Sequence, residues 1–379
     1  MLKIFHIIFD YREGGAEKVI LNLSQSNKMH SKIISILKPK KSTLLKNTQC
    51  EVKYFCDKKL NIRDILSLIK YFNKEKPDLI HCHMYNSNLL GIFFSYFINF
   101  KPKFLWSIYC DLPFAKNFSI KTKIISFLNI IFSYSKKVQK IIFCSNSGLN
   151  NHINYLYKKN KCQILYLGFN EKLNHDEKKR NGFRYKNSLQ TTDIILGNLS
   201  RFDPEKDHKN LFQAFNFFKK NNPDLPQVKL ICAGPNISFN NTVLSDLTNK
   251  FIEKKYIKDL ILIDYIDDIE NFYSGIDLFI LSSLNEAFPN VICEAMLSKN
   301  IIVSTNVGFI SEIIGDKNFI SNKNDSRMLA DKISEAIKFI FDSPIPADTV
   351  KNNNREIILN RFSLKIFYEK YDKIILSLF

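Results

Sequence analysis

The chain has 379 residues, more than one ordinary hydrophobic core accommodates, and 45% of them are apolar, so two globular domains are expected. Its eight cysteines are scattered singly, without a C-x-x-C pair or a Cys/His spacing suited to zinc, which argues against a disulfide framework or a zinc site. The apolar run IFHIIF is too short for a signal peptide, and the apolar runs 89–100 and 124–134 are too short to span a bilayer. We therefore expect a cytoplasmic protein that is soluble or peripheral to a membrane.

The net charge of +18 is unevenly divided along the chain. Residues 1–170 carry 27 Lys and Arg against 9 Asp and Glu, whereas the other 28 basic and 28 acidic residues of the chain lie in 171–379. A general bias towards lysine would act on both halves, so it does not by itself explain the difference. The first half is therefore predicted to meet an anionic partner.

Apolar, β-branched runs alternate with helical patterns throughout, which is typical of parallel α/β units. In the first half the predicted helices include 15–26, 62–73 and 147–157, and the predicted strands are 2–9, 32–37, 52–55, 78–82, 104–109, 140–144 and 163–167. The polar stretch around 171–192 is predicted to be a linker. After it, predicted strands follow at 193–199, 228–233, 260–263, 277–281 and 301–304.

We therefore predict an α/β protein of two doubly wound domains, 1–170 and 193–360, followed by a C-terminal helical segment, 361–379. In such sheets ligands bind beyond the carboxyl ends of the strands, so the two domains are expected to border one cleft.

Two glycines, Gly14 and Gly15, stand between the first strand and the first helix. Without side chains they allow a diphosphate or a sugar to approach the backbone at a helix N-terminus. A tight turn would use two glycines equally well. We assign Glu17 to the first turn of this helix, where an acid interacts favourably with the dipole.

Two carboxylates, Glu286 and Glu294, stand eight positions apart in the segment LNEAFPNVICEAML. A carboxylate has two acceptor oxygens, which suits the paired hydroxyls of a sugar or ribose. The surroundings of Glu294 are apolar, so it is expected to be partly buried and to need a partner. The alternative for Glu294 is an acid on the helix surface.

Between the two acids, Phe288, Pro289 and Asn290 indicate the start of a helix, with Asn290 as the N-cap. The amides of Val291 and of the two residues after it would then be free at the positive end of the helix, where a phosphate can bind. Together the acids and the amides predict a sugar-nucleotide site.

This segment resembles the E-x7-E motif of the retaining glycosyltransferases of family 4, which have the GT-B fold. Three further elements match that family in the same order. They are DYREGGAEKVILNLS after the first strand, GNLSRFDPEKDHKNLFQAF in the middle and STNVGFISEII after the acid pair. The ordered set spans nearly the whole chain and is far more specific than any one motif.

The resemblance implies two Rossmann-like domains facing across a cleft, the first binding the acceptor and the second the nucleotide sugar, with the helix in 361–379 crossing back onto the first domain. It also implies transfer of a hexose or N-acetylhexosamine from a nucleotide diphosphate sugar, most often a UDP-sugar. Arg201 and Lys206 match the two family cations that neutralise the departing diphosphate. They replace the divalent metal of other glycosyltransferases, so neither metal nor cofactor is expected. A solvated basic loop is the alternative for these two. Asp203 and Asp207 are assigned structural roles, and His208 is left open.

Within the acid pair, the family assigns Glu286 to the sugar hydroxyls and Glu294 to the ribose. Phe288, Pro289 and Asn290 are expected to shape the backbone amides around the sugar and the phosphate. His83 matches a histidine of the acceptor cleft in relatives, with a structural role as the alternative. Many family members place another histidine after the next strand, where this chain has Tyr109, Cys110 and Asp111. Asp111 is the candidate substitute for that contact.

The stretch 116–140 alternates lysines with large apolar residues, which is typical of a helix lying on an anionic membrane or of a core helix with a charged outer face. With the basic first half, it predicts a peripheral enzyme at the inner face of the cell membrane. The expected acceptor is a glycan or lipid-linked glycan in surface polysaccharide or lipid-linked oligosaccharide synthesis. Two alternatives stay open: a GT-B epimerase or phosphorylase, and a basic nucleic-acid-binding protein. The second is disfavoured because the sequence contains no recognised nucleic-acid-binding motif, and no nucleic acid is expected as a partner.

Overall fold

The computed structural model describes residues 1–379 except 12–13, 27–28, 39–49, 58–59, 115–117, 226, 267 and 315–318. The chain divides into two compact units, one formed by Met1–Gly168 with Leu364–Phe379 and the other by Phe169–Ser363. Each unit is an α/β structure built on a parallel sheet. The predicted fold class of two Rossmann-like domains is confirmed.

In the described part of the first unit, seven parallel strands pair in the order β3-β2-β1-β4-β5-β6-β7. The strands are β1 (Leu2–Asp10), β2 (Met29–Leu37), β3 (Glu51–Cys56), β4 (Leu79–His83), β5 (Lys103–Ile108), β6 (Val138–Phe143) and β7 (Cys162–Ile164). The helices between them are α1 (Gly15–Ser24), α2 (Ile62–Glu75), α3 (Met84–Phe94), α4 (Ile120–Ser133) and α5 (Asn146–Asn154). The central strands are buried, and β1 and β4 carry buried histidines as well as apolar side chains.

The second unit has a six-stranded parallel sheet in the order β10-β9-β8-β11-β12-β13, again among the described residues. Its strands are β8 (Ile194–Leu199), β9 (Val228–Ala233), β10 (Leu260–Ile263), β11 (Leu278–Leu281), β12 (Ile301–Thr305) and β13 (Ile320–Ser321). Its helices are α6 (Glu177–Lys186), α7 (His208–Asn221), α8 (Thr242–Phe251), α9 (Lys254–Ile257), α10 (Ile269–Gly275), α11 (Asn290–Leu297), α12 (Ile310–Ile313), α13 (Ser326–Asp342) and α14 (Pro344–Phe362). Both strand orders change direction beside the first strand of the unit, which places ligand sites at the carboxyl ends of the strands there.

The last helix, α15 (Leu364–Leu376), belongs to the first unit, where it packs on α1. The Tyr371 hydroxyl is 3.0 Å from His81 Nδ1, and Ser26 donates to Asp372 Oδ1 at 3.3 Å. Tyr371 is fully buried. The chain therefore returns to the first unit by way of a helix that is part of its core.

The structure differs from the predicted linker. Residues 171–192 are part of the second unit, and α6 lies within them. Phe183 packs edge-on against Phe272 of α10, and Arg184, only 3% exposed, binds the carboxylate of Asp277 at 2.7 Å. The charged composition that predicted a linker instead serves buried ion pairs.

Candidate functional site

The turn after β8 carries the two predicted cations of the second unit. Lys206 ends a 3-10 turn, Pro204–Lys206, in which the amide of Glu205 donates to Asp203 Oδ1 at 3.0 Å. Arg201 is exposed and donates from Nε to Asp203 Oδ2 at 3.1 Å. Asp207 has a left-handed backbone, with φ of 47°, and caps α7 by accepting from the amide of Asn210. Both acids therefore shape the turn that presents the cations.

Lys206 forms an ion pair with the first predicted acid. Lys206 Nζ donates to Glu286 Oε1 at 2.6 Å, and Ser283 Oγ donates to the same oxygen at 2.8 Å. The Lys206 side chain is 18% exposed and that of Glu286 is 11% exposed, so the pair is partly shielded from water. The structure thus brings these two predicted site residues together although 80 positions separate them.

Two further bonds hold the turn after β8 against the loop after β11. Ser282 Oγ donates to the carbonyl of Lys206 at 2.8 Å, and the amide of Leu284 donates to the carbonyl of Glu205, also at 2.8 Å. The ion pair is therefore fixed through its backbones as well as through its side chains. These backbone bonds keep the charges of Lys206 and Glu286 in fixed positions before a substrate binds.

The loop after β12 supports Glu286 from a third direction. Thr305 Oγ1 donates to the carbonyl of Ser283 at 2.7 Å. Gly308 has φ of +54°, and a Cβ at this position would lie 1.5 Å from the carbonyl oxygen of Glu286. Only glycine fits there, because both the backbone angle and the space exclude a side chain. Sequence reasoning matched this element to the family but did not single out Gly308.

Gly234, at the end of β9, was also missed. Its φ is +131°, and a Cβ would lie 2.3 Å from the carbonyl oxygen of Ser200. The Gly-Pro pair directly after a strand was the available signal. Ser200 Oγ lies 3.3 Å from Nε2 of His208, whose pKa burial lowers to about 4. His208 is therefore a neutral, buried support of the same turn.

The N-terminus of α11 differs by one residue from the prediction. Pro289 is the N-cap, and Asn290 is the first helical residue rather than the cap. The amides of Ile292 and Cys293 donate to the carbonyl of Pro289 at 3.1 and 3.4 Å, so two of the three amides predicted to be free are engaged. The first amides of the helix, those of Asn290 and Val291, are the ones that helix geometry leaves without an intrahelical acceptor.

Phe288 lies in an aromatic cluster of the second unit. Its ring stacks on Phe169 at a centroid distance of 6.0 Å and contacts Phe309 and Phe362, both at 5.4 Å. Its exposed fraction is 6%. Phe288 therefore anchors the loop that carries Glu286, and its contribution to a site is through the backbone.

Glu294 projects from the second turn of α11 into the unit and is 6% exposed. Its Oε2 accepts a hydrogen bond from the Tyr273 hydroxyl at 2.9 Å. Burial is the main cause that raises the pKa of Tyr273 well above its usual value, so this hydroxyl stays a donor. The partner expected for a buried carboxylate is thus a tyrosine of α10, a contact without a local sequence signal.

In the first unit, Gly14 is the N-cap of α1, and its backbone is extended. A Cβ on Gly14 would lie 2.7 Å from Glu17 Oε2. The atom it would meet is the end of a flexible side chain that can move aside, so neither the backbone angle nor the space demands glycine here. Glu17 lies in the first helical turn, as predicted, and is 9% exposed, whereas Gly15 begins the helix at the surface.

His83 is fully buried at the end of β4, and both of its ring nitrogens have partners within the unit. Its Nδ1 lies 2.8 Å from the Tyr109 hydroxyl, and its Nε2 lies 3.1 Å from Nδ1 of His6. Burial lowers the pKa of His83 well below its usual value. His83 is therefore neutral at pH 7. To contact a substrate, as predicted, it would have to give up its contact with either Tyr109 or His6.

His6, His81 and His83 offer ring nitrogens within 4.8 Å of one another. The hydroxyls of Tyr371 and Ser107 lie 3.0 and 2.7 Å from the two nitrogens of His81. Burial lowers the pKa of His6 to about 3. The geometry therefore fits a neutral hydrogen-bond network.

Asp111, the candidate substitute for the family histidine, is buried with 8% exposure. Asn151 Nδ2 donates to Asp111 Oδ2 at 3.1 Å and to its carbonyl oxygen at 3.3 Å. This contact holds the segment after β5 on α5. The role of Asp111 as the substitute for the family histidine stays a prediction.

The sequence is similar to those of known glycosyltransferases. Residues 179–356 match the family described as "Glycosyl transferases group 1". The chain is 26% identical over 326 residues to the capsular polysaccharide biosynthesis glycosyltransferase CapM of Staphylococcus aureus, covering 82% of this chain and 80% of CapM. It is 21% identical over 330 residues to the UDP-Gal:alpha-D-GlcNAc-diphosphoundecaprenol alpha-1,3-galactosyltransferase of Escherichia coli, covering 83% and 78% of the two chains.

The fold is similar to that of solved glycosyltransferases over the full chain. HepE of Anabaena, solved with UDP and glucose, matches with a TM-score of 0.84 at 18% identity, and the match covers all of both chains. TarM of S. aureus, solved with UDP, alpha-GlcNAc-glycerol and fondaparinux, matches with a TM-score of 0.74 at 14% identity over 98% of this chain and 99% of TarM. The matched region 179–356 contains Arg201, Lys206, Glu286 and Glu294. The protein is therefore a glycosyltransferase with the GT-B fold.

Proposed function

We propose that the protein is a retaining glycosyltransferase of family 4 that transfers a hexose or an N-acetylhexosamine from a UDP-sugar to a membrane-associated glycan. The observation that carries the proposal is the ion pair between Lys206 and Glu286, joined by the exposed Arg201 on the same turn. Cations and a carboxylate held together at the carboxyl ends of β8 and β11 match what a diphosphate sugar presents, which is negative charge beside hydroxyls.

Each residue of this cluster has a role in the proposal. Lys206 and Arg201 neutralise the diphosphate as its bond to the sugar breaks. Lys206 and Ser283 both donate to Oε1 of Glu286, so we assign Oε2 to the hydroxyls of the donor sugar. The first amides of α11, at Asn290 and Val291, and the glycines Gly14 and Gly15 are assigned to the phosphates and the sugar. We assign Glu294 to the ribose.

Retention implies that the acceptor attacks from the face that the diphosphate leaves. A phosphate oxygen of the leaving group then takes the acceptor proton, so the mechanism demands no dedicated base from the protein. The neutral and buried His83 is consistent with this, because a group with a strongly lowered pKa is a poor base at pH 7. UDP is the proposed nucleotide because HepE was solved with UDP-glucose and the E. coli relative is named for UDP-Gal.

The proposed acceptor is a glycan, or a glycan on a lipid diphosphate, in the synthesis of a surface polysaccharide. CapM is named for capsular polysaccharide biosynthesis and the E. coli relative for a diphosphoundecaprenol acceptor. The basic residues 1–170 suit an anionic acceptor. Among the described residues, none of the helices has the length and apolar character to cross a membrane. We propose that the enzyme works peripherally at the inner face of the cell membrane.

The test is a panel of radiolabelled UDP- and GDP-sugars incubated with the purified protein, with product separation. We expect UDP release, with or without acceptor, for one UDP-sugar. Lys206→Ala and Glu286→Gln are each expected to lower kcat about 10²- to 10³-fold, as is typical when one group that stabilises the transition state is removed. Lys250→Ala, which removes an exposed lysine of α8, is the control and should leave kcat unchanged.

Binding of UDP-sugars without release, or an epimerised sugar nucleotide as the product, would exclude transfer. Equal kcat for Lys206→Ala and the Lys250→Ala control would remove Lys206 from the site.

A further inference from the structure

Helix α4 carries a large apolar stripe on its outer side. On its inner side the buried residues are the small polar Ser126, Asn129 and Ser133, and the partly buried Ile125, Ile130 and Phe132 pack against the core of the first unit. Its outer side is apolar. Between 49% and 79% of each of these side chains is exposed: Ile120, Ile124, Phe127, Ile131 and Tyr134. They recur at helical spacing within an arc of about 80°. A surface helix normally turns such a stripe inward.

Hydrogen bonds hold α4 in this orientation. Asn129 Nδ2 donates to the carbonyl of Tyr85 on α3 at 3.0 Å, and Ser133 Oγ accepts from the amide of Lys158 at 3.1 Å. Asn129 and Ser133 are fully buried. Rotating the apolar stripe inward would expose these bonds and break the contact with α3. The outward stripe is therefore specified by the fold.

The apolar surface continues beyond the end of α4. The Tyr134 hydroxyl donates to the carbonyl of Leu156, whose side chain is 71% exposed. Lys137 Nζ donates to the carbonyl of Ser95 and lies 3.7 Å from the ring centre of Tyr96, which is 64% exposed. We call this surface the α4 face, comprising Tyr96, Ile120, Ile124, Phe127, Ile131, Tyr134 and Leu156. An exposed apolar surface of this extent marks an interaction site.

Positive charge surrounds the α4 face. Lys121 and Lys123 lie in the first turn of α4, on the two sides of the stripe, and Lys136 follows the helix. Residues 79–170 contain a single acid, Asp111, and 11 lysines: Lys101, Lys103, Lys116, Lys121, Lys123, Lys136, Lys137, Lys140, Lys158, Lys159 and Lys161. An apolar stripe bordered by lysines complements a surface with an anionic layer over an apolar one.

We propose that the α4 face docks on an anionic lipid bilayer, with α4 lying parallel to the membrane plane. Ile120, Ile124, Phe127 and Ile131 enter the boundary between headgroups and acyl chains, and Lys121 and Lys123 contact the anionic headgroups. Tyr134 and Tyr96 lie at headgroup level, where aromatic rings with a polar end are favoured. A second copy of the chain is disfavoured as the occupant, because it would bring like charges together around the contact.

The proposal deepens the membrane-associated acceptor of the proposed function, because it names the surface that brings the enzyme to a lipid-linked glycan. It does not depend on donor chemistry. Docking is measured without substrate, whereas release of UDP is measured without membrane, so failure of one is distinguishable from failure of the other.

The experiment is flotation of the full chain with vesicles of phosphatidylethanolamine containing 30% phosphatidylglycerol, compared with pure phosphatidylcholine, at low and high salt. We expect binding to the anionic vesicles, weakened but not abolished by salt, because apolar insertion is not screened. Ile124→Ser with Phe127→Ser is expected to lower the partition coefficient at least about tenfold, given the free energy of burying such side chains. Lys121→Gln with Lys123→Gln should lower binding mainly at low salt.

A matched control removes as much apolar surface elsewhere in the same unit. Ile62→Ser with Leu66→Ser changes two exposed side chains of α2, 76% and 60% exposed, and should leave vesicle binding unchanged. Circular dichroism and UDP release in solution, expected to equal those of the unsubstituted chain, check that each variant is folded. The proposal is overturned if the unsubstituted chain does not float with anionic vesicles, or if the α4 and α2 variants bind equally. A dimer in sedimentation that the α4 substitutions dissociate, without vesicle binding, would instead assign the face to a second copy.

Discussion

Glu286 is held by side chains and backbone from three separate loops. Lys206 and Ser283 bind its carboxylate, and Gly308 packs directly against its carbonyl oxygen. The charge of Lys206 is therefore already placed beside a carboxylate whose position the surrounding backbone determines. A site built in this way reorganises little when charge develops on a leaving group, which is where electrostatic catalysis gains most.

Gly308→Ala is expected to damage the site through its backbone. A Cβ 1.5 Å from the carbonyl oxygen of Glu286 forces the two loops apart, and φ of +54° adds strain. We expect a loss of about 2–4 kcal/mol in the free energy of unfolding, as for a strained position with a steric clash. The Lys206 contact should loosen and kcat should fall. Urea denaturation and UDP release measure the two effects.

The control for this change is Gly182→Ala. Gly182 lies in the exposed part of α6, and no atom lies within 4 Å of the Cβ that it would gain. Alanine there should stabilise the protein by up to about 1 kcal/mol, because glycine is a poor helix former. If Gly308→Ala behaved like Gly182→Ala, the loop after β12 would not support Glu286 as described.

Removal of divalent metal tests the assignment of Arg201 and Lys206 as the groups that neutralise the diphosphate. We expect kcat to be unchanged by EDTA, because these two side chains supply the positive charge at the leaving group. The measurement is UDP release before and after chelation, followed by addition of Mg²⁺ or Mn²⁺. A loss of activity that Mn²⁺ restores would contradict the metal-independent mechanism.

At the scale of elements, helix α6 shows how charge is used for docking. Arg180 and Arg184 lie one helical turn apart and bind the two oxygens of Asp277, at 2.6 and 2.7 Å. Asp277 directly precedes β11, and its Oδ2 also accepts from the amide of Ile195 on β8 at 2.8 Å. One carboxylate therefore joins α6 to two central strands of the second sheet.

Asp277→Asn is expected to destabilise the second unit strongly. The substitution leaves the guanidinium of Arg184, 4% exposed, without its counter-charge. Removing one partner of a buried pair typically costs about 3–5 kcal/mol, because the other charge stays buried. Thermal unfolding measures this loss. Asp348→Asn, which removes the exposed partner of Lys351, is the control and should change stability by less than about 1 kcal/mol.

This contact also shows what sequence reasoning does not reach. The strands could be predicted, because buried parallel strands leave continuous apolar runs. The segment around α6 was predicted to be a linker, since Arg180 and Arg184 give no local sign that Asp277, more than 90 residues away, will bind them. Strand β13, with only two residues, was missed because so short an element has no periodicity.

Within the candidate site, too, residues of a local motif could be predicted, whereas contacts between distant parts of the chain could not. The residue types of Lys206 and Glu286 were selected from motifs, and the structure brings them together. The partner of Glu294 was not predictable, because Tyr273 lies 21 positions away on another helix. Gly308 was not singled out, because a positive φ and a close approach are properties of the folded backbone.

At the scale of the whole molecule, the two units differ in the number of buried histidines. The described part of the first unit contains four with pKa values lowered by burial, whereas the second contains His208. Burial lowers the pKa of His6 to about 3 and that of His152 to about 4. It lowers the pKa values of His81 and His83 well below the usual value. Each stays neutral in the folded state at a pH where the unfolded chain binds a proton.

The sign of the resulting pH dependence follows from this difference. Below the ordinary pKa of 6.5 the unfolded state takes up protons that the folded state does not, so the free energy of unfolding falls as the pH falls. Each buried histidine contributes a loss of roughly 1 kcal/mol between pH 6.5 and 5.5. The loss ends only as the pH reaches the lowered pKa. The first unit is therefore expected to be the more acid-sensitive of the two.

The single tryptophan of the chain makes the difference measurable. Trp106 lies fully buried in β5 of the first unit, so its fluorescence reports the unfolding of that unit, whereas far-ultraviolet circular dichroism reports both. Urea titrations are carried out at pH 7.5, 6.5 and 5.5. Between pH 6.5 and 5.5 we expect the urea concentration at the midpoint of the fluorescence transition to decrease, and to decrease more than the midpoint of the remaining transition seen by circular dichroism. Equal shifts of both transitions would show that the buried histidines of the first unit do not dominate its response to acid. A fluorescence midpoint that stays constant to pH 5.5 would mean that the histidine cluster accepts protons while folded, contrary to the burial that the structure gives it.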